Sequence, residues 1–519
     1  MPDQPNIVLM LADDMGFADL GCFGAEIPTP NLDALASNGW RFSQMYNCAR
    51  CCPSRASLLT GLYPHQAGVG AMLQNQGTPA YQGYLRDDCV TIAEVLGKAG
   101  YFTGYTGKWH TGGVWPRREG DPKKWRFDDP THPTPRMRGF ERFYGNPSGG
   151  GSYFEPAAIA EDETLVELPD DFYTTDSYTT KALDMMDEAT ASQRPFFLHI
   201  CYNAPHWPLH AKTADIERHR GVYEKGWDYF RTARHEELKG LGILSERWDI
   251  SPRDPQVHAW EDEERKDWEA LRMATYAAMV DCLDQNVGRV VRKLRELGQL
   301  ENTILIFLSD NGGCHEFLPE GARKHDEVNR TRDGRHIRFG NIEGLTPGGV
   351  DTFMSYDRPW ANVSNAPFRM FKHWVHEGGI SAPFILSWPA KLREPAIVHE
   401  PCHIIDIAAT CIDAAGADYP EQFGGKAVTP IEGESFLDLL DGNPWRRHEP
   451  IFWEHMGNEA VREDVWKLVR KKNGPWELYN LENDRTELHD LIGGEAERAT
   501  RMRGMYDHWA ERCGVLPRP

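Results

Sequence analysis

The sequence predicts an α/β fold with a large, mostly parallel sheet flanked by helices, and a smaller C-terminal α+β domain. The first observation is a series of short apolar runs that each end abruptly in polar residues. Uninterrupted runs of this length are typical of strands buried on both faces, as in parallel sheets. They occupy residues 6–12, 101–105, 195–200 and 303–308.

Helical patterns lie between these runs, which is the second observation. Thr91 and Glu94 have the spacing of a capping box, and apolar residues follow them at helical intervals. Residues 271–298 carry a long apolar stripe at helical spacing, and Gly298 suits the end of that helix. Strands that alternate with helices indicate a parallel sheet with helices packed on its faces.

The third observation is that this alternation fades from about residue 440 onward. Residues 465–470 and 476–481 have the pattern of short strands, and residues 495–512 that of a closing helix. A chain of 519 residues is too long for one hydrophobic core of ordinary size. We therefore expect a larger α/β domain in residues 1–440 and a small antiparallel-sheet-plus-helix domain in residues 441–519. Residues 112–150 are expected to form a long loop.

The composition restricts the class of protein. A formal net charge of −21 argues against nucleic acid and anionic membranes as partners, and no apolar run approaches the length of a membrane span. The odd number of cysteines, 11, argues against a disulfide framework. Residues 1–5 lack the features of a signal peptide. We therefore expect a cytoplasmic protein, or a periplasmic or secreted one if a signal was removed.

Polar residues follow the predicted strands at their carboxyl ends. In open α/β sheets, ligands bind beyond those ends, so these side chains should converge on one site. The carboxylate and amide oxygens among them suit Ca²⁺, suit Mg²⁺ less well, and do not suit zinc. The residues concerned are Asp13, Asp14, Lys108, His110, His206, Asp310 and Asn311.

One short segment, residues 51–61, raises a separate question about a thiol at the start of a helix. Pro53 suits the first helical turn, which places Cys51 at a helix N-terminus. Unpaired backbone N–H groups there favour an anion and lower the pKa of a thiol, and Arg55 lies one turn further on. These residues alone leave a buried structural cysteine and a functional one equally open. A zinc site using Cys48, Cys51 and Cys52 lacks a fourth ligand at suitable spacing.

The same segment resembles the signature of the type I sulfatase family, which is formylglycine-dependent and belongs to the alkaline phosphatase superfamily. Within that family the resemblance is to the arylsulfatase-like members. The matching positions are Cys51, Pro53, Ser54, Arg55, Leu59, Thr60 and Gly61. Further segments resemble other motifs of that family, in the same order along the chain. They are residues 6–14, 107–110, 204–208, 309–312 and 367–372, the last followed by 377–380.

The resemblance implies the hydrolysis of sulfate monoesters. It implies that a formylglycine-generating enzyme oxidises Cys51 to formylglycine, whose hydrate attacks the ester, and that a Ca²⁺ ion is bound. The implied metal ligands are Asp13, Asp14, Asp310, Asn311 and the modified Cys51. The implied catalytic residues are Cys51, Arg55, Lys108, His110, His206, Lys372 and Asp310.

Several alternatives remain open at this point. A phosphonate monoester hydrolase or phosphodiesterase of the same superfamily is the nearest one, and a non-catalytic binder of sulfated glycans belongs to another class. The substrate is expected to be a small-molecule or saccharide sulfate ester, and aryl, sugar and alkyl leaving groups are all compatible with the sequence. The role of Cys52 and the oligomeric state are not indicated.

Overall fold

A computed structural model describes residues 4–113, 127–322 and 328–517. The strands, in chain order, are β1 (Asn6–Asp13), β2 (Trp40–Tyr46), β3 (Phe102–Gly107), β4 (Arg142–Gly145), β5 (Ala160–Glu161), β6 (Thr164–Leu165), β7 (Phe196–Pro205), β8 (Thr303–Ser309), β9 (Arg338–Phe339), β10 (Thr352–Phe353), β11 (Ser381–Ser387), β12 (Ala396–Val398), β13 (Cys402–His403), β14 (Gln422–Phe423), β15 (Lys426–Ala427), β16 (Ile451–His455), β17 (Asn458–Glu463), β18 (Trp466–Arg470) and β19 (Glu477–Asn480).

The α-helices within the same described residues include one of 31 residues, α7. They are α1 (Pro30–Ser37), α2 (Cys51–Thr60), α3 (Ile92–Lys98), α4 (Thr174–Ala191), α5 (Thr213–His219), α6 (Gly226–Gly240), α7 (Lys266–Glu296), α8 (Asp357–Ser364), α9 (Glu377–Ile380), α10 (Ile404–Ala414), α11 (Leu437–Leu440) and α12 (Ala496–Cys513). No helix in the described ranges combines the length and apolar character needed to span a membrane.

The central sheet has the strand order β12-β2-β11-β8-β1-β7-β3-β4-β5-β6, and β13 pairs with β2. Strand β1 lies between β7 and β8 and runs parallel to both, with Ile7 opposite Phe197 on one side and Ile304 on the other. Strand β3 continues the parallel set beyond β7, whereas β11 runs antiparallel to β8 and β2. The carboxyl ends of β1, β3, β7 and β8 therefore lie at the same edge of the sheet.

Helices cover both faces of this sheet, and successive side chains of β1 point alternately into the two layers. Its alternate side chains Val8 and Met10 pack in a core with residues of α4 and α7, whereas Ile7, Leu9 and Leu11 pack in a second core with residues of α2, α3 and α10. Because both faces are buried, every position of β1 from Ile7 to Ala12 is apolar. The predicted α/β fold is confirmed.

Individual elements also match the sequence pattern, with one exception. Thr91 and Glu94 form the capping box at the start of α3, and α7 extends five residues further toward the N-terminus than the pattern indicates. The prediction of a loop over residues 112–150 is wrong for β4, which pairs in parallel with β3. Residues 114–126 of that segment lie outside the described ranges.

The smaller C-terminal sheet consists of the antiparallel strands β16-β17-β18-β19. Helix α12 packs on it through Met502 and Trp509, which share a buried cluster with Val461 and Leu468. This agrees with the expected antiparallel sheet and closing helix. The boundary between residues 440 and 441 stays a prediction.

A buried ion cluster joins this sheet to the segment that precedes β11. Lys467 of β18 lies 2.8 Å from Oε1 of both Glu377 and Glu487, and all three side chains are fully buried. Arg485 donates to the other oxygen of Glu377 at 3.0 Å. Removing one partner of such a cluster leaves a buried charge without compensation.

Lys467→Met is therefore expected to destabilise the protein by about 3–5 kcal/mol. Urea unfolding would measure the change, with the exposed Lys472 as a matched control. Lys472→Met should stay within about 0.5 kcal/mol of the wild type. An equally small loss in Lys467→Met would show that the cluster contributes little to the attachment of the C-terminal sheet.

Candidate active site

Two pairs of adjacent residues with side-chain oxygens, which we call the acidic pairs although one member is an asparagine, meet where β1 and β8 end. Asp13 and Asp14 close β1, and Asp310 and Asn311 follow β8. The backbone N–H of Asp14 donates to Asp310 Oδ1 at 3.2 Å, and Asn311 Nδ2 donates to Asp14 Oδ1 at 2.7 Å. All four side chains are buried. Their proximity follows from the parallel pairing of the two strands.

Buried cations neutralise these carboxylates. Lys372 Nζ lies 2.7 and 2.8 Å from the two oxygens of Asp14, and Lys108 Nζ donates to Asp13 Oδ2. Burial alone would raise the pKa of Asp13, yet Lys108 above all holds that pKa below its usual value. Burial raises the pKa of Asp310 well above its usual value, and the neighbouring Asp13 adds to this effect.

Backbone geometry brings Lys108 into the site. Gly107, the last residue of β3, has a φ of +103°, and a Cβ there would lie 1.9 Å from the carbonyl oxygen of Cys201. Only glycine fits this close approach to β7. His110, three residues on, has a φ of +55°, and Asp14 one of +65°. Left-handed backbone at non-glycine residues costs conformational energy, which is typical of functional sites.

Cys51 occupies the first position of α2, immediately after the extended N-cap residue Arg50. Its sulfur, that of Cys52 and a ring nitrogen of His110 all lie within 4.8 Å of one another. A hydrogen bond from Cys52, supported by Lys108 and His110, holds the pKa of Cys51 well below its usual value. Burial lowers the pKa of His110 to about 4, so this imidazole is neutral at neutral pH.

His206 directly follows the last residue of β7 in the chain. Its Nδ1 is 2.5 Å from the carbonyl oxygen of Trp207, and its Nε2 is 3.4 Å from Asp14 Oδ2. Because a carbonyl only accepts, Nδ1 carries a hydrogen. Any proton that His206 exchanges in the site is therefore the one on Nε2.

The donor set fits a hard divalent cation. Asp13 Oδ1 and Asn311 Oδ1 are buried and have no hydrogen-bond partner in the described ranges. Asn311 Nδ2 donates to Asp14 and to the carbonyl oxygen of Gly312, so the amide oxygen is the group of this side chain that is available to a cation. Carboxylate and amide oxygens without competing sulfur ligands are what Ca²⁺ or Mg²⁺ prefers.

The structure brings together all ten residues that the sequence singled out for the site. The resemblance also implies that Arg55 holds the hydrated side chain of residue 51 in place, but the hydrogen bonds of Arg55 in the structure go to other groups. Its guanidinium donates to Asp310 Oδ2 at 2.8 and 3.0 Å and to the carbonyl oxygen of Lys108 at 2.9 Å. Its hydrogen bonds therefore fix the acidic cluster and the Lys108 loop, and a contact with residue 51 stays a prediction.

Sequence reasoning missed residues that support the loops of the site. Ser309 Oγ accepts from the N–H of Met15 at 3.0 Å and donates to the carbonyl oxygen of Asn311 at 2.9 Å. Asn365 Oδ1 accepts from the N–H of Gly313 at 2.8 Å. Polar side chains that bind distant backbone leave no periodic or motif signal in a single sequence. Cys48, considered for a zinc site, instead donates to Ser57 Oγ at 3.4 Å.

Comparison with known proteins agrees with this geometry. The family described as Sulfatase matches residues 5–417, and the family described as N-sulphoglucosamine sulphohydrolase, C-terminal, matches residues 368–506. An uncharacterized sulfatase of Schizosaccharomyces pombe is 32% identical, over 94% of this chain and 90% of its own length. An arylsulfatase of Klebsiella aerogenes is 34% identical, over 83% of this chain and 91% of its own length.

A solved structure leads to the same conclusion. The crystal structure of Ps i-CgsB in complex with k-i-k-neocarrahexaose has a TM-score of 0.69 and 27% identity, and the match covers 98% of this chain and 93% of that one. Fold, site and relatives therefore agree along nearly the whole sequence, and a purely non-catalytic glycan binder is not supported. The chain belongs to the sulfatase family and is a sulfuric ester hydrolase of the arylsulfatase-like kind.

Proposed function

We propose that this enzyme hydrolyses sulfate monoesters with formylglycine at position 51 and Ca²⁺ held by Asp13, Asp14, Asp310 and Asn311. The observation that carries the proposal is the meeting of the α2 N-terminus, which bears Cys51, with the acidic pairs and two buried lysines. Hydrated formylglycine supplies a hydroxyl group for attack on sulfur. Bound Ca²⁺ supplies positive charge for the sulfuryl oxygens and neutralises the carboxylates.

The charge balance of the site supports a cation and an anionic substrate together. When all three carboxylates are ionised, Arg55, Lys108 and Lys372 offset the charges of Asp13, Asp14 and Asp310 one for one. A divalent cation therefore makes the pocket net positive, although the chain as a whole is strongly acidic. A local positive well of this kind attracts a sulfuryl group and stabilises the charge that develops on its oxygens.

The chain's own residues then have distinct tasks. Lys108 and Lys372 bind the sulfuryl oxygens and give up part of their contact with the carboxylates. Asp310, which Arg55 holds in place, accepts a proton from the attacking hydroxyl. His206 acts as an imidazolium, with Nδ1–H bound to the carbonyl oxygen of Trp207, and donates the proton on Nε2 to the departing oxygen. His110, beside residue 51, accepts a proton from that side chain when sulfate leaves. These proton transfers fit the positions of the two imidazoles.

The substrate class is proposed from the relatives. One relative is named an arylsulfatase, and the solved structure of Ps i-CgsB is a complex with k-i-k-neocarrahexaose. We propose an aryl or saccharide sulfate monoester as the substrate. The leaving group would occupy the open side of the pocket, which includes the half-buried His110.

The first test is the mass of the proteolytic peptide that contains residue 51, from protein made in its own host. The expected mass is that of formylglycine in place of cysteine. In parallel, the same preparation should turn over an aryl sulfate far faster than the matching phosphonate monoester. An unmodified cysteine in a preparation that still hydrolyses sulfate esters would overturn the proposed nucleophile, and a preference for the phosphonate would overturn the substrate.

A further inference from the structure

Two residues that neighbour catalytic residues in the chain are linked to each other through a third residue, Glu316. Arg50 precedes Cys51, Trp207 follows His206, and Glu316 lies on the segment after β8. Arg50 Nη1 lies 3.0 Å from Glu316 Oε1, and Trp207 Nε1 donates to Glu316 Oε2 at 3.1 Å. One carboxylate therefore connects the neighbour of the nucleophile position with the neighbour of the proton donor.

This link lies at the solvent side of the pocket. Cys51 is 2% exposed and Lys372 1%, whereas the side chains of Arg50 and Glu316 are 19% and 28% exposed. After burial, Glu316 and Cys51 are the main influences on the pKa of Arg50, which they raise, so the guanidinium is close to the nucleophile position. The leaving group of a sulfate ester bound at residue 51 would point toward this more exposed side.

The carboxylate of Glu316 is held in place on this more exposed side. Both of its oxygens have a partner, and its backbone carbonyl oxygen accepts a hydrogen bond from Ser355 Oγ at 2.6 Å. The nearby ring of His315 stacks on Phe371 at 5.2 Å, next to Lys372. A fixed, partly exposed carboxylate repels a second anionic group on the substrate.

We propose that Glu316 is a specificity-determining residue that disfavours anionic leaving groups, and that with Arg50 and Trp207 it forms a subsite for uncharged aromatic or hydroxylated ones. The proposal rests on the proposed sulfate ester hydrolysis and adds the charge class of the leaving group. Glu316 engages Arg50, so that cation is not available to a carboxylate or second sulfate on the substrate. The indole of Trp207 lies 4.6 Å from the ring of His206, the proposed proton donor.

The test compares two aryl sulfates of similar shape, 4-acetylphenyl sulfate, which is uncharged beyond its sulfate, and 4-carboxyphenyl sulfate, which is anionic. The quantity measured is the ratio of kcat/KM for the anionic to the neutral substrate. Comparing this ratio between variants cancels the intrinsic difference between the two phenols. In Glu316→Gln the ratio should rise about three- to tenfold. The variant removes the repulsion between the Glu316 carboxylate and the carboxylate of the anionic substrate, several ångströms away.

Two further variants make the test decisive. Glu511→Gln, on the exposed side of α12, removes the same charge far along the chain and should leave the ratio unchanged. Arg50→Gln should lower the ratio, the opposite direction, because Glu316 loses its neutralising partner. Ratios that stay within about 1.5-fold of the wild type in both site variants would overturn the proposal. Failure of the wild type to turn over even the neutral ester would instead reject the proposed sulfate ester hydrolysis, on which this inference rests.

Discussion

Asp310→Asn is expected to lower kcat/KM for an aryl sulfate by at least about 10³-fold and to remove most of the stabilisation by calcium. Asp310 accepts from Arg55 through Oδ2 and from the N–H of Asp14 through Oδ1. Asparagine keeps the size and one acceptor, so the fold should persist. It removes one negative charge from the proposed cation site and the base from the proposed mechanism, and both losses act on the same reaction.

Calcium-dependent unfolding separates these two losses from a general loss of structure. At free calcium about 100-fold above the Kd, a cation that binds only the folded state stabilises the wild type by about 2.7 kcal/mol. Thermal unfolding with calcium and with a chelator should show this increment in the wild type and little of it in Asp310→Asn. The exposed Asp418 provides the control, since Asp418→Asn should keep both the increment and the activity.

Other results would contradict the assignment in a defined way. A full calcium increment in Asp310→Asn would remove Asp310 from the ligands. Normal turnover in the presence of chelator would argue against any role for the cation in the reaction. An unfolded variant would not mimic the expected result, because the chelated form of Asp310→Asn should still unfold cooperatively.

The sequence predicts the fold and most of the site for the same physical reason. A strand buried on both faces must be apolar throughout, so the point where β1 becomes Asp13 and Asp14 is visible in the sequence. The same transition is visible at the end of β8, before Asp310. Parallel pairing then brings these ends together, and the convergence follows without knowledge of any contact.

Other features depend on tertiary contacts that one sequence does not reveal. Strand β4 has four residues within a segment rich in proline and glycine, and only its pairing with β3 makes it a strand. Arg55 looks like a ligand for the nucleophile in the motif, yet its guanidinium binds Asp310, 255 positions away. The link between Arg50 and Glu316 likewise joins two segments with no shared pattern.

His206→Gln is expected to reduce kcat/KM selectively for esters of weakly acidic alcohols. For an alkyl or sugar sulfate the loss should be about 10²–10⁴-fold, because the departing alkoxide requires the proton on Nε2. For 4-nitrophenyl sulfate, whose leaving group needs no proton, the loss should be about tenfold or less. The measurement is kcat/KM for both esters with wild type and variant under the same conditions.

The position of His110 provides the contrast that makes this result specific. His110 lies beside Cys51 and Cys52, whereas His206 Nε2 lies 3.4 Å from Asp14 Oδ2 and is the proposed proton donor to the leaving group. His110→Gln should therefore lower turnover of both esters by similar factors, and the exposed His508 should tolerate His508→Gln without effect. Equal losses on the two esters in His206→Gln would assign His206 to positioning of Asp14. A strong dependence on the leaving group in His110→Gln instead would exchange the roles of the two imidazoles.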